Sequence, residues 1–218
     1  MTVRMLQLLV GLVLFGAGCA LMVQAGIGLD PWTVFAEGLS RQTGIGIGWV
    51  TNGVGFLVLL LWIPLRQRPG VGTILNILLV GTSMQGTIAI VPAVTGLEGL
   101  SGPVEFLIQL AVFLLGVVVV AVASGLYIGA RFGPGPRDGL MTGLNERFGW
   151  PIWAARLGVE LTVLVAGWLL GGTVGLGTVL FAILIGPLVH RALPLFDHRV
   201  RTERLAARAA AREAQTTR

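Results

Sequence analysis

The sequence predicts an all-α integral membrane protein: six transmembrane helices as two inverted three-helix repeats, each with a short Pro-initiated interfacial or re-entrant helix. Three observations predict it. First, 55% of the residues are hydrophobic and only 11% are charged, where a soluble domain averages about 25% charged. Second, the apolar residues gather in six runs, each close to the ~20 residues that cross a bilayer. Third, residues 9–85 and 114–190 align without a gap at an offset of 105 positions.

The matches are mostly structural. Gly11 falls on Gly116, Gly28 on Gly133, Pro31 on Pro136, Gly38-Leu39 on Gly143-Leu144 and Gly44 on Gly149. Gly70-Val71-Gly72-Thr73 falls on Gly175-Leu176-Gly177-Thr178, and Gly81 on Gly186. Chance pairing explains shared Leu and Val, but glycine and proline recur where the backbone needs them. Three spans per copy is an odd number, so the second copy enters the bilayer upside down, an arrangement common in secondary transporters. The repeats take residues 1–104 and 105–196, and 197–218 form an Arg/Ala-rich cytoplasmic tail.

The spans read as 5–25, 46–65, 72–92, 106–128, 151–170 and 175–193, each ending near Gly, Pro or Arg. Gly16-Ala17-Gly18-Cys19 has the look of a lipoprotein cleavage site. Cys19, however, falls on Ser124 of a segment that is no signal peptide, so the first span reads as retained. Two segments are too short to cross: Asp30-Pro31-Trp32 to about Gln42, and Gly135-Pro136-Arg137-Asp138 to about Arg147. Each opens with a cap and then Pro at the first helical position, and each stops at a glycine, Gly44 or Gly149. The tail beyond Asp197 reads as a frayed, solvated extension of the last span.

All 15 basic residues are arginine. Arg4, Arg66, Arg68, Arg131, Arg137, Arg147, Arg191 and the tail arginines alternate onto one side; Arg41 lies on the other. The positive-inside rule puts both termini in the cytoplasm, and explains the basic pI without nucleic acid.

The two short helices are the first candidates for a site. A helix N-terminus carries partial positive charge and free N–H groups, and preceding glycines let a ligand approach the backbone. The substrate-binding candidates are Gly28, Asp30 and Trp32 in the first motif, and Gly133, Gly135, Arg137 and Asp138 in the second. Arg137 suits a carboxylate or phosphate; Asp138 pairs with it or takes a proton. Asp30 caps its own helix, and Trp32 anchors at the interface or stacks on a ligand. Arg156 and Glu160, four apart, share a face of the fifth span, as a proton-coupling site or a buried ion pair. Asn52, Asn76, Gln85 and Gln109 read as interhelical hydrogen bonders.

Other classes fare poorly. There is one cysteine, hence no intrachain disulfide, and no Cys-based metal site. No Walker lysine, nucleophile elbow or His-Glu-x-x-His motif is present, so neither an enzyme nor a cofactor is expected.

The motifs Gly28-x-Asp30-Pro31-Trp32, Gly133-x-Gly135-Pro136-Arg137-Asp138-Gly139-Leu140-Met141 and Gly177-Thr178 leading to Gly186-Pro187 resemble those of the bacterial YczE-like membrane proteins, related to the YitT/YyaS group. The resemblance covers the chain to about residue 195. In the family the first motif reads Gly-Pro-Trp-Asp; here Asp30 precedes the proline and Thr33 follows Trp32. The resemblance implies a polytopic inner-membrane protein. The residues themselves favour a small secondary transporter for an anionic or zwitterionic solute held between the repeats. The alternative is a non-transporting membrane subunit, such as a substrate-binding component, working with partners. A homodimer is compatible with either.

Overall fold

The computed structural model describes residues 1–96 and 102–197; the tail from residue 198 and the Glu98 loop lie outside them. The described residues form eight α-helices: α1 (Thr2–Ala25), α2 (Pro31–Thr43), α3 (Ile47–Leu65), α4 (Val71–Ile90), α5 (Gly102–Gly129), α6 (Pro136–Phe148), α7 (Ile152–Leu169) and α8 (Leu176–Phe196). All except α2 and α6 are long and apolar enough to cross a membrane, so the chain is a membrane protein with six candidate spans. The expected spans hold to within a few residues. The largest differences are the starts of α5 and α1 and the end of α8, which reach further than their apolar runs because a helix continues past the last lipid-facing residue.

Small residues set the packing, as expected where lipid removes the hydrophobic drive between helices. α1 and α5 form the central pair and run antiparallel: Gly11 lies against Ala123 to Tyr127, and Gly18 against Gly116 and Val120. A Cβ on Gly11 would come within 2.8 Å of the Tyr127 backbone nitrogen. α4 packs beside α1 through Gly16, and α8 beside α5 through Gly125 and Gly129. Leu12, Met22, Phe113 and Val117 fill the fully buried centre.

The loops before α2 and α6 dock on the opposite half. Gly177 N–H donates to Ile27 O at 2.8 Å, and Gly72 N–H to Phe132 O at 2.8 Å. These are equivalent positions in the two halves. Beside them, Leu29 N–H donates to Thr178 Oγ1 at 3.2 Å. The residue equivalent to Leu29 is Pro134, which has no N–H; there the bond reverses, and Thr73 Oγ1 donates to Pro134 O at 2.7 Å. Gly28 and Gly133 hold φ of 125° and 118°, a region closed to most side chains. The Gly-x-Gly-Thr repeats are therefore receptors for the other half's loop.

The short helices start inside the bundle and end at its surface. Trp32, Thr33 and Val34 are buried and Arg41 to Thr43 exposed; Pro136, Gly139 and Leu140 are buried and Glu146 to Phe148 exposed. Their starts meet across the molecule, with Arg137 Nη1 3.5 Å from Asp30 Oδ1. Helices lying flat on the surface of the bundle would leave their first turns exposed, as these are not. α2 and α6 thus dip inward.

The first turn of α6 packs closely on α3. Trp62, 1% exposed, lies over Gly139, and its Nε1–H donates to Pro136 O at 3.0 Å. A Cβ at Gly139 would overlap the indole. Gly139→Val is expected to lower stability by about 2–3 kcal/mol, the range of an overpacked core. Gly158→Ala, where no atom lies within 4 Å, serves as the control. Thermal unfolding in detergent checks both, and equal melting temperatures would contradict this account of α6.

Candidate functional site

A cavity of about 420 Å³ lies where α2 and α6 meet, walled also by α3, α4, α5, α7 and α8. Asp30, Trp32, Gly135, Arg137, Asp138, Arg156 and Glu160 all line it. The sequence candidates thus converge, except Gly28 and Gly133, which seat the docking loops described above.

Asp30 is 3% exposed and caps α2, as expected: Oδ1 accepts the N–H groups of Trp32 at 3.2 Å and Thr33 at 3.3 Å. Its Oδ2 has no partner, and neither has Trp32 Nε1; both atoms are buried. Trp32 is not an interfacial anchor. It is 6% exposed and lies under Arg137, whose guanidinium carbon is 4.9 Å from the ring centroid. The expected Arg137–Asp138 pair is replaced by a longer-range one. Arg137 reaches Asp30 in the other half, while Asp138 Oδ2 accepts the Tyr127 hydroxyl at 2.9 Å. Adjacent residues in a helical first turn point apart, so the pair across the halves is the one geometry permits.

Arg156 and Glu160 do pair, at 3.1 Å, with side chains 58% and 34% exposed. Both line the cavity on a candidate span, where pairing offsets the cost of a charge away from bulk water.

Asn52 and Gln85 bridge α3 and α4 as expected: Asn52 Nδ2 donates to Thr82 Oγ1 at 3.0 Å, and Gln85 Oε1 accepts Gly48 N–H at 3.1 Å. Gln109 instead bonds Glu105 within its own helix at 3.3 Å. Asn76 lines the cavity, its amide nitrogen 3.6 Å from where a Cβ on Gly135 would stand. Tyr127 and His190, which belong to no sequence motif, also stand in the wall. Tyr127 carried a usable signal: it is the chain's single tyrosine, deep in an apolar span, where its hydroxyl needs a partner.

The wall is uneven. α3 packs along α4, whereas α7 and α8 barely touch. A Cβ on Gly81 of α4 would overlap Gly48 O and Asn52 Oδ1; around its equivalent in α8, Gly186, nothing lies within 4 Å. Trp153, equivalent to Gly48, is 70% exposed. The cavity therefore opens between the start of α7 and the end of α8, and is shut between the start of α3 and the end of α4.

Over residues 2–193 the chain matches the family described as a family of unknown function, DUF6198. It is 39% identical over 182 residues to an uncharacterized protein of Haemophilus influenzae, covering 84% of this chain and 79% of that one. It is 34% identical over 186 residues to the uncharacterized membrane protein YczE of Bacillus subtilis, covering 84% and 82%. The uncharacterized protein YyaS of the same species is 24% identical over 189 residues, covering 86% and 91%. No solved structure matches.

Proposed function

We propose that this chain, which belongs to the DUF6198 family of YczE-like membrane proteins, is a small secondary transporter whose two halves are inverted repeats. The solute sits in the cavity between them. One observation carries the reading: equivalent seams differ, α3–α4 being shut and α7–α8 open. Inverted repeats exchange such arrangements to expose a fixed site to each side in turn. The antiparallel α1–α5 pair and the reciprocal docking of the loops on Thr73 and Thr178 support the inversion. With both termini cytoplasmic, the open seam faces inward. Glu160, paired yet accessible, is the candidate for proton coupling.

The experiment is disulfide trapping in membranes, in a Cys19→Ser background. Cysteines at Asn52 and Thr82 report the shut seam; cysteines at Trp153 and His190 report its open equivalent. Transport predicts that both pairs crosslink, in competition, and that either crosslink stops solute exchange in proteoliposomes. An α3–α4 pair that crosslinks fully beside an α7–α8 pair that never does would mean a fixed wall. The gap would then be a seat for a partner helix, and the protein a non-transporting subunit.

A further inference from the structure

The charges of the cavity wall narrow the solute. Its acidic groups are Asp30, Asp138 and Glu160, and its arginines Arg137 and Arg156. Arg137 pairs with Asp30 and Arg156 with Glu160. Asp138 is left with a neutral donor, the Tyr127 hydroxyl. The wall thus carries one carboxylate not balanced by an arginine, with the His190 imidazole as its other titratable group, and an ammonium finds a seat there that a purely anionic solute leaves unused.

Asp138 lies in a polar patch of the wall. A Cβ on Gly135 would stand 3.3 Å from Asp138 Oδ2, 3.4 Å from Tyr127 Oη and 3.6 Å from Asn76 Nδ2. The bare glycine thus lets these three polar groups draw together at the edge of the cavity that all four residues line. On the other side of the helix start, Arg137 is held loosely: one 3.5 Å contact to Asp30 and a stack on Trp32, with the side chain 30% exposed. Two further atoms at this wall, Asp30 Oδ2 and Trp32 Nε1, are buried without any partner. Buried polar groups are seldom left so, and where they are a ligand or water commonly completes them.

We infer that the cavity takes a small zwitterion, its primary ammonium against Asp138 at the cavity wall and its carboxylate on Arg137. This rests on the transporter reading above. Neighbouring opposite charges on the first turn of α6 give the two ends of such a solute separate seats. The same count disfavours the simple anion that the sequence allowed.

The test is a binding series on the detergent-purified full chain, by thermal shift and calorimetry. Probes are the α-amino acids, ω-amino acids from glycine to 6-aminohexanoate, and the matched carboxylates and amines, such as butyrate and butylamine for 4-aminobutyrate. At least one zwitterion is expected to bind about tenfold or more tightly than both matched ions, the scale of one lost charged contact. Asp138→Asn keeps a partner for Tyr127, and Gly135→Ala, at an ordinary φ of −63°, sets a methyl against the Asp138 carboxylate. Each should weaken that zwitterion about tenfold while leaving the unliganded melting temperature close to wild type. A matched carboxylate or amine binding as tightly, either variant leaving affinity intact, or silence across all the zwitterions overturns the assignment. Seams that still exchange in the crosslinking assay would then leave the transporter reading standing, with only the solute class lost.

Discussion

Replacing Arg137 with alanine is expected to abolish solute binding and exchange, and to cost at least about 2 kcal/mol of stability, because a charge left buried without its partner is expensive. Asp30, 3% exposed, draws its only charged contact among the described residues from Arg137. Removing that contact strands a carboxylate between Trp32 and the α2 start. Two companion variants separate the roles. Asp30→Asn combined with Arg137→Ala removes the stranded charge, so stability recovers while binding stays lost. Arg137→Lys retains charge but not the planar group that stacks on Trp32, and should fall between. Melting temperature and counterflow in proteoliposomes, measured on all three, check this. Full exchange by Arg137→Ala would remove the cavity from the pathway.

A matched pair of glycine replacements is expected to give the other large effect. In Gly81→Val the new side chain would collide with Gly48 O and Asn52 Oδ1, prising α3 from α4. A cysteine at position 52 should then react with an impermeant thiol reagent added outside, and exchange should fall more than about tenfold, since one seam can no longer close. Gly186→Val meets nothing within 4 Å. Its melting temperature should match wild type, yet exchange should fall comparably, because α7 and α8 could not come together. Stability lost in the first and kept in the second, with transport lost in both, is what two exchanging seams require. A fully active Gly186→Val would mean that α7 and α8 never close.

The same glycines show how legible this protein was. Gly81 and Gly186 align in sequence, and their equivalence marks both as close-approach positions. That one is crowded and the other free depends on how the neighbouring helices pack, which no residue type encodes. Asp30 was readable as a cap, because Asp before Pro at a helix start leaves few other uses for its carboxylate. Its pairing with Arg137, 107 positions away in sequence, was not readable, since each local motif supplies its own plausible partner. Asn76 and Tyr127 sit in apolar runs where a lone polar group most often just bridges helices. Only the position of Gly135 shows that they gather beside Asp138 at one edge of the cavity.

What the sequence determined by itself was the number and rough extent of the helices, the internal duplication, and the two Pro-initiated short helices. These follow from local physics: apolar length against bilayer thickness, and the backbone demands of glycine and proline. The tertiary structure decided that both short helices dip to a common centre, that each loop docks on the opposite half, and that one seam is open. Those features depend on which surfaces meet when two similar halves pack face to face, a long-range balance of steric fit and buried hydrogen bonds that the linear pattern leaves free.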